Sequence, residues 1–440
     1  MAARDTALSV LIACRTKQAW ADGALKEYLA RDRLDAREAA LASRLVYCVM
    51  QNRLLLDFYI DAFLRGGRKQ LQPAVADILR LGACQILFFE KVPDSAAVNE
   101  AVRQGKRLAN PRAAGLINGL LRNLSREKDR LPEPPDLAVR YSCPPELTDL
   151  LRRAVGEAKL EPLLRSQNEP ALLTVQVNTL RATADALTER LQAAGISAEA
   201  HPWCPDCLVL TGSGNLEALP EFREGLFYVQ DPAAKLAVLA ADVQPGMQVL
   251  DCCAAPGGKS FAAAIAMENC GTLLSRDLHP HKIALIEKGA ARLGISILEA
   301  GQQDASKPVP GWSGRFDRVI CDVPCSGLGV IRKKPDIRYK DLVPLAGLPA
   351  VQRRILEAQA GHVKPGGLLL YSTCTVLPEE NRGVAEAFLA DHPEFSREPA
   401  ALPGVGETGG DVTLLPCDHG TDGFYTCRLR RKSSSWTSNP

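Results

Sequence analysis

The chain is predicted to hold three modules in series: an all-α bundle, a small α+β module and a doubly wound α/β domain. Three observations carry this reading. Through about residue 130, apolar residues recur at helical spacing. The stretch "LPEPPDLAVRYSCPP", residues 131–145, then puts five prolines in fifteen positions, and neither helix nor sheet runs through that. From residue 229 onward, strand-like and helix-like segments alternate, as they do around a mainly parallel sheet. The boundaries read from these signals are 1–135, 136–228 and 229–432, with residues 433–440 as a disordered tail. A length of 440 residues suits two or three domains, and 46% hydrophobic with 24% charged residues is an ordinary globular composition.

The bundle is built helix by helix. In "AREAALASRLVYCVMQNRLLLDFYI", Leu41, Leu45, Cys48 and Val49 fall on one face. In "PAVADILRLGACQILFFE", Val75, Ile78, Leu79, Gly82 and Ile86 repeat that spacing after Pro73, a helix-start signal. "PDSAAVNEAVRQGKRL" offers Asp94 or Ser95 as a cap, with Val98, Ala101 and Val102 inward. "NPRAAGLINGLLRNL" continues through Leu116, Leu120 and Leu124. Residues 1–135 carry 22 Lys and Arg against 15 Asp and Glu, although the whole chain has a net charge of only +2. A basic front end fits a polyanion, nucleic acid foremost; a solvated helical surface is the plain alternative.

The middle module combines helices in "PPELTDLLRRAVG" and "ATADALTERLQAAG" with strands in "ALLTVQVNTL", "CLVL" and "GLFYVQ". In the last module "MQVLDCCA", "GTLLSRD", "ILEAGQQD", "RFDRVICDVPC" and "GGLLLYSTC" read as strands. Helices in "KSFAAAIAM", "HKIALIEKGAARLG" and "LPAVQRRILEAQAGHV" separate them. Ligands of such sheets sit beyond the carboxyl ends of the strands. Asp251, Asp277, Asp304 and Asp322 close four successive strands, and Cys325 follows the fourth. Cys374 closes the fifth, among hydroxyls and just ahead of an acidic helix start at Glu379 and Glu380.

"DCCAAPGGKS" fills the first strand–helix turn, where small residues let backbone N–H groups approach a ligand at a helix N-terminus. It is neither the dinucleotide glycine pattern nor a P-loop. Asp277 is placed to accept hydrogen bonds from ribose hydroxyls. The expected cofactor is therefore a nucleoside without an obligatory pyrophosphate site, which suits S-adenosylmethionine better than NAD. "CDVPCSGLGVIRKKPDIRYK" adds an acid, a thiol and a basic strip, and Arg332, Lys333, Lys334 and Arg338 are candidate phosphate contacts. Two thiols and an acid match one chemistry well. Carbon 5 of cytosine becomes nucleophilic once a thiolate has added to carbon 6, an acid near ring nitrogen 3 stabilises the adduct, and a proton must then leave carbon 5. The residues alone do not rank the two thiols.

"FYVQDPAAKLAV", "VLDCCAAPGGKS", "CDVPCSGLGVIRKKPD" and "YSTCTVLPEEN" closely resemble the NOP2/Sun-type RNA 5-methylcytosine methyltransferases. "AAVNEAVRQGKR" and "AGLINGLLRNL" resemble the NusB-like RNA-binding domain. The resemblance implies a Rossmann-like class I domain dependent on S-adenosylmethionine, and 16S ribosomal RNA as substrate. It places the cofactor loop on Cys253, Ala254, Ala255, Pro256, Gly257, Gly258 and Lys259, with Lys259 also near RNA. It places the ribose acid on Asp277, the adenine-side acid on Asp304, and the acid between cofactor and base on Asp322. It makes Cys374 the nucleophile and Cys325 the group assisting product release. The chain departs from the family at Thr375, where serine is common, and at Lys334, where histidine is usual.

Rival readings are a transfer RNA target, a non-catalytic RNA-binding assembly factor and an NAD-dependent oxidoreductase. An intact cofactor loop and both cysteines weigh against the last two. "HPWCPDC" gives His201, Cys204 and Cys207 a metal-like spacing but no fourth ligand close by, so no metal is expected. The first residues lack a secretory apolar core and no apolar run reaches the roughly 18 residues of a membrane span. A cytoplasmic monomer acting on RNA away from membranes is expected, with its fourteen cysteines reduced.

Overall fold

The computed structural model describes residues 3–64, 66–67, 70–108 and 110–433; the expected tail after residue 433 lies outside them. The chain divides into two compact units, one of residues 1–168 with 333–340, the other of residues 169–332 with 341–440. The first unit is helical. Seven helices run from Ala3–Lys17 to Pro111–Glu127 and enclose Leu8, Leu45, Leu56, Ile60, Ile78, Leu79, Ile117 and Leu121. Asp35 and Asn110 cap two of them by accepting from the backbone N–H of Glu38 and Ala113, and Pro73 opens a third. Leu116, expected inward, is exposed, while Leu120 and Leu124 are buried.

The compact units divide at residue 168, beyond the boundary expected near residue 135. Helices Leu137–Arg140, Pro145–Val155 and Glu157–Ser166 belong to the helical unit, so the proline-dense stretch connects elements inside it. Leu147, Leu151, Leu160, Leu163 and Leu164 are buried there, and Ser142 Oγ accepts the backbone N–H of Leu55 at 3.0 Å. Prolines end helices, but burial decides which body a helix joins.

The second unit holds two main sheets. The smaller has strands β1 (Leu173–Val177), β2 (Ser197–Ala200), β3 (Cys207–Thr211) and β4 (Phe227–Val229), all antiparallel in the order β2-β3-β1-β4. Its buried face is formed by Val175, Val177, Leu208, Leu210 and Phe227 against Leu187 and Leu191 of the helix Ala184–Ala193.

The larger sheet begins with β5 (Gln248–Asp251), β6 (Thr272–Asp277), β7 (Leu298–Gln302), β8 (Phe316–Asp322) and β9 (Val363–Thr373), paired in parallel. Strands β10 (Phe395–Arg397), β11 (Ala400–Leu402), β12 (Gly406–Thr408), β13 (Asp411–Leu414) and β14 (Phe424–Arg431) follow. The sheet order is β10-β14-β9-β8-β5-β6-β7, with β13 also on β14 and β14 antiparallel to β9; β11 and β12 form a separate pair. Because β6 lies on one side of β5 and β8 on the other, the order reverses between β5 and β8. That is the switch point where an open α/β sheet forms its crevice. Among the described residues no helix is long and apolar enough to cross a membrane.

Candidate active site

The crevice is lined from strand ends outward. Asp251 ends β5 fully buried, and its Oδ2 accepts the Ser260 hydroxyl at 2.7 Å. Ser260 in turn accepts from Ser275 on β6 at 2.8 Å. Burial pushes the Asp251 carboxyl up to about 7, against the opposing hydrogen bond from Ser260. Its Oδ1 is buried without a hydrogen-bond partner. Asp277 ends β6 and accepts the backbone N–H groups of Ala255 at 3.2 Å and His279 at 3.0 Å. It thereby ties the small-residue loop to the second strand. Asp304 lies two residues beyond β7, not at its end, and accepts from the Ser306 hydroxyl at 2.6 Å and backbone N–H at 3.0 Å. Those bonds hold its carboxyl below the usual range.

The loop from Cys253 to Gly257 enters the helix Gly258–Ala266 through Gly257, whose φ of +114° suits glycine. A Cβ there would come within 2.3 Å of the Phe261 ring. The donor set fits S-adenosylmethionine: a compact backbone turn at a helix start, a buried carboxylate oxygen with no partner, and acids at or just past four strand ends. Such an acidic rim suits a sulfonium and an ammonium better than a polyphosphate.

Lys259 and Asp322 meet across the switch point, Nζ to Oδ2 at 2.6 Å. Burial works against the ammonium, but the Asp322 carboxylate overrides it and holds Lys259 above its ordinary value. Asp322 Oδ1 also accepts the Ser372 hydroxyl at 2.9 Å, and Lys259 Nζ lies 5.0 Å over the Phe424 ring. The acid is therefore fixed by contacts from β9 and from the loop helix.

Cys325 and Cys374 converge, although 49 residues apart, with sulfurs separated by 3.2 Å. β8 ends at Asp322 and the chain turns at Pro324; β9 ends at Thr373. Both cysteines are half-buried, so a ligand in the crevice can reach them. The hydrogen bond to Cys374, then burial, hold the Cys325 thiol well above the usual thiol range. Gly329 braces the pair by donating to Cys374 O at 3.0 Å, and a Cβ on it would overlap Gly423 O at 1.9 Å.

The expectation for Glu380 is corrected. The following helix starts at Arg382, and Glu380 is turned inward, 1% exposed, onto the Cys325 loop. Gln352 on the helix Leu348–Ala360 joins it and was missed by sequence reasoning. The only signal was the pair of acids after Cys374, which reads equally well as a helix start.

The basic strip separates into unlike parts. Arg332 Nη2 donates to Gly420 O at 3.1 Å, and Lys333 has interactions of its own. Lys334 is exposed, 4.0 Å from Asp22. Arg338 is corrected: it is 2% exposed and is not on a phosphate-binding surface. Its guanidinium donates to the carbonyls of Gln51 at 2.9 Å, Tyr141 at 2.9 Å and Gln167 at 3.1 Å, and to Asn168 Oδ1 at 2.5 Å. Charge in a run could not distinguish a tether from a surface. His201, Cys204 and Cys207 lie in the small-sheet region, where His201 Nδ1 accepts the backbone N–H of Cys204 at 3.2 Å.

A parallel sheet carrying an antiparallel strand beside β9, with a small-residue loop at its switch point, defines a Rossmann-like S-adenosylmethionine-dependent methyltransferase domain. The comparisons agree on the fold and narrow the class. Residues 238–430 match the family described as 16S rRNA methyltransferase RsmB/F, residues 1–126 the NusB family, and residues 144–217 the ferredoxin-like domain of RsmF/B-like methyltransferases. The chain is 36% identical, over 98% of both chains, to the probable ribosomal RNA small subunit methyltransferase B of Bacillus subtilis. It is 34% identical to the ribosomal RNA small subunit methyltransferase B of Erwinia tasmaniensis, over 89% of this chain and 90% of that one. The crystal structure of PH0851 matches 98% of both chains with a TM-score of 0.79 and 26% identity. The chain belongs to the RsmB/F family of 16S rRNA methyltransferases. It is an S-adenosylmethionine-dependent RNA methyltransferase with a NusB-like helical front.

Proposed function

We propose that the protein methylates carbon 5 of a cytosine in 16S ribosomal RNA, the cytosine at position 967, through a covalent cysteine adduct. The observation that carries this is the pair of sulfurs 3.2 Å apart beside the Lys259–Asp322 ion pair. One thiol alone would serve a nucleophile; two beside a fixed acid serve addition and release. The 16S target rests on the names of the relatives, and the position on resemblance to them.

Cys253 to Lys259, Asp277 and Asp304 would hold the cofactor, which supplies an electrophilic methyl carbon when bound. The chain's own residues do the rest. Cys374 adds as thiolate to carbon 6 of the ring. Asp322, oriented by Lys259 and Ser372, accepts a hydrogen bond from ring nitrogen 3 once that atom has taken a proton from water. Cys325, having released its own proton to water once Cys374 is tied up as a thioether, accepts the proton from carbon 5 as a thiolate. The Cys374–carbon 6 bond then breaks and ring nitrogen 3 gives up its proton, which restores the aromatic ring. The base must be out of its stack to reach these groups, so a loop or unfolded RNA is the substrate form. Lys259, Arg332, Lys333 and Lys334 are the proposed RNA-side cations. Working on ribosomal RNA, the protein would be cytoplasmic, and we take it to act as a monomer.

The test uses unmodified 16S and transfer RNA transcripts with methyl-labelled S-adenosylmethionine, followed by nuclease digestion and mass spectrometry. Label in 5-methylcytidine from 16S RNA alone, at one position, is the expected result. Label in transfer RNA alone, or in another nucleoside, overturns the assignment.

A further inference from the structure

Two thiols in contact pose a problem that neither cysteine solves. Placed symmetrically, either could lose its proton and attack. The surroundings of the pair are not symmetrical. Glu380 Oε2 accepts the backbone N–H of Ser326 at 2.9 Å and the Gln352 side-chain amide at 2.8 Å. The same Gln352 amide donates to Pro324 O at 3.0 Å. The peptide groups on both sides of Cys325 are therefore held by one buried carboxylate and its amide partner. Tyr371 completes the clamp by donating to the carbonyl of Glu380. Next along the chain, Asn381 Nδ2 donates to Thr375 O at 3.0 Å and its Oδ1 accepts the Thr373 hydroxyl at 2.5 Å. Residues 380 and 381 thus grip both cysteine segments, the first by the Cys325 loop and the second by the end of β9.

We propose that Glu380 is a positioning residue that makes the two thiols unequal, seating Cys325 as the protonated partner and leaving Cys374 free to be the nucleophile. This deepens the proposed methyl transfer and rests on that reading for its purpose, but the asymmetry itself is a property of the free protein. Glu380 Oε1 is buried with no hydrogen-bond partner, so nothing neutralises that side of the carboxylate. A buried negative charge opposes a second one nearby. Cys374, one residue past β9, and Glu380, from the turn after it, act on Cys325, and Cys325 in turn acts on Tyr371 of β9. Cys374 is coupled instead to the Lys259 ammonium on the loop helix. The negative neighbour falls to one thiol and the positive neighbour to the other. After addition, Cys374 is a neutral thioether and no longer opposes a charge on Cys325, so Cys325 can release its proton to water and, as thiolate, take the one from carbon 5.

The experiment alkylates the full-length protein with iodoacetamide between pH 6.5 and 9.5, without RNA or cofactor, and measures labelling at each cysteine by mass spectrometry. Wild type should label at Cys374 before Cys325 throughout. Glu380→Gln keeps the side-chain shape and removes the charge, and should raise the Cys325-to-Cys374 labelling ratio about tenfold near pH 8, because only thiolates react. Glu379→Gln, at the exposed neighbour, should leave the ratio unchanged. An unchanged ratio in a folded Glu380→Gln protein overturns the proposal. So does wild-type labelling at Cys325 first, a result that needs no variant to fold. Neither outcome depends on methyl transfer, so this inference and the proposed function fail separately.

Discussion

Lys259 Nζ and Asp322 Oδ2 lie 2.6 Å apart at the switch point of the sheet, joining the helix after the small-residue loop to the strand that leads to Cys325. The pair has a structural and a chemical side, and substitutions separate them. Asp322→Asn should lower kcat by about 10²–10⁴, the usual scale for a group acting on a proton in the transition state. Its KM for S-adenosylmethionine should change far less. Comparable loss in both constants would mean that Asp322 holds the cofactor and does little to the base.

Stability gives the other side. Leaving one partner of a largely desolvated pair alone costs roughly 3–5 kcal/mol, whereas replacing both by apolar groups is often neutral. Lys259→Met should therefore melt well below wild type, and Lys259→Met with Asp322→Leu should recover most of the loss while remaining inactive. Calorimetry checks this. A double variant as unstable as the single one would show that the ion pair stabilises outright.

Asp251 predicts a pH dependence with a definite sign. Its folded-state pKa of about 7 lies above the ordinary 3.8, so between those values the folded chain holds a proton that the unfolded chain has released. Stability from this residue is complete below about pH 4, falls as pH rises, and levels off above about 7. The fall amounts to roughly 4 kcal/mol if Asp251 acts alone. Asp251→Asn should flatten the decline, so its melting temperature relative to wild type should rise between pH 5 and pH 8. A constant difference across that range would contradict the burial argument.

Arg338 is expected to stabilise the helical unit and to be silent toward RNA. Arg338→Ala removes four hydrogen bonds to buried or half-buried acceptors, and at about 1 kcal/mol each the unit should lose roughly 3–4 kcal/mol. RNA affinity measured below the melting transition should keep its salt slope. Lys334→Ala should instead leave stability alone and reduce the slope by about one if it contacts a phosphate. The opposite pattern would return Arg338 to the RNA surface.

Much of this was legible in the sequence because it followed local rules. The parallel strands are apolar runs with turn residues behind them, and all five were located by that alternation together with their terminal or near-terminal acids and thiols. Asp322, Cys325 and Cys374 could be assigned to one crevice because the fold class sends strand ends there. Strand β2, reading Ser197–Ala200, was missed because it is short and mostly exposed. β9 starts at Val363, ahead of the Gly366–Gly367 pair that reads as a turn; sheet pairing overrode the local signal. Glu380 and Arg338 were misread for one shared reason. A charged residue in a surface-like stretch is buried only when distant acceptors or donors meet it. Ser326 lies 54 positions from Glu380, and Gln51 lies 287 from Arg338.

The most direct test of the central claim is a denaturing gel for covalent protein–RNA adducts. It uses an unmodified 16S transcript, S-adenosylmethionine, and three proteins: wild type, Cys325→Ala and Cys374→Ala. With Cys374 as nucleophile and Cys325 required for release, Cys325→Ala should accumulate an adduct and Cys374→Ala should form none. Adduct in Cys374→Ala alone would reverse the two roles and contradict the reading of Glu380 with them.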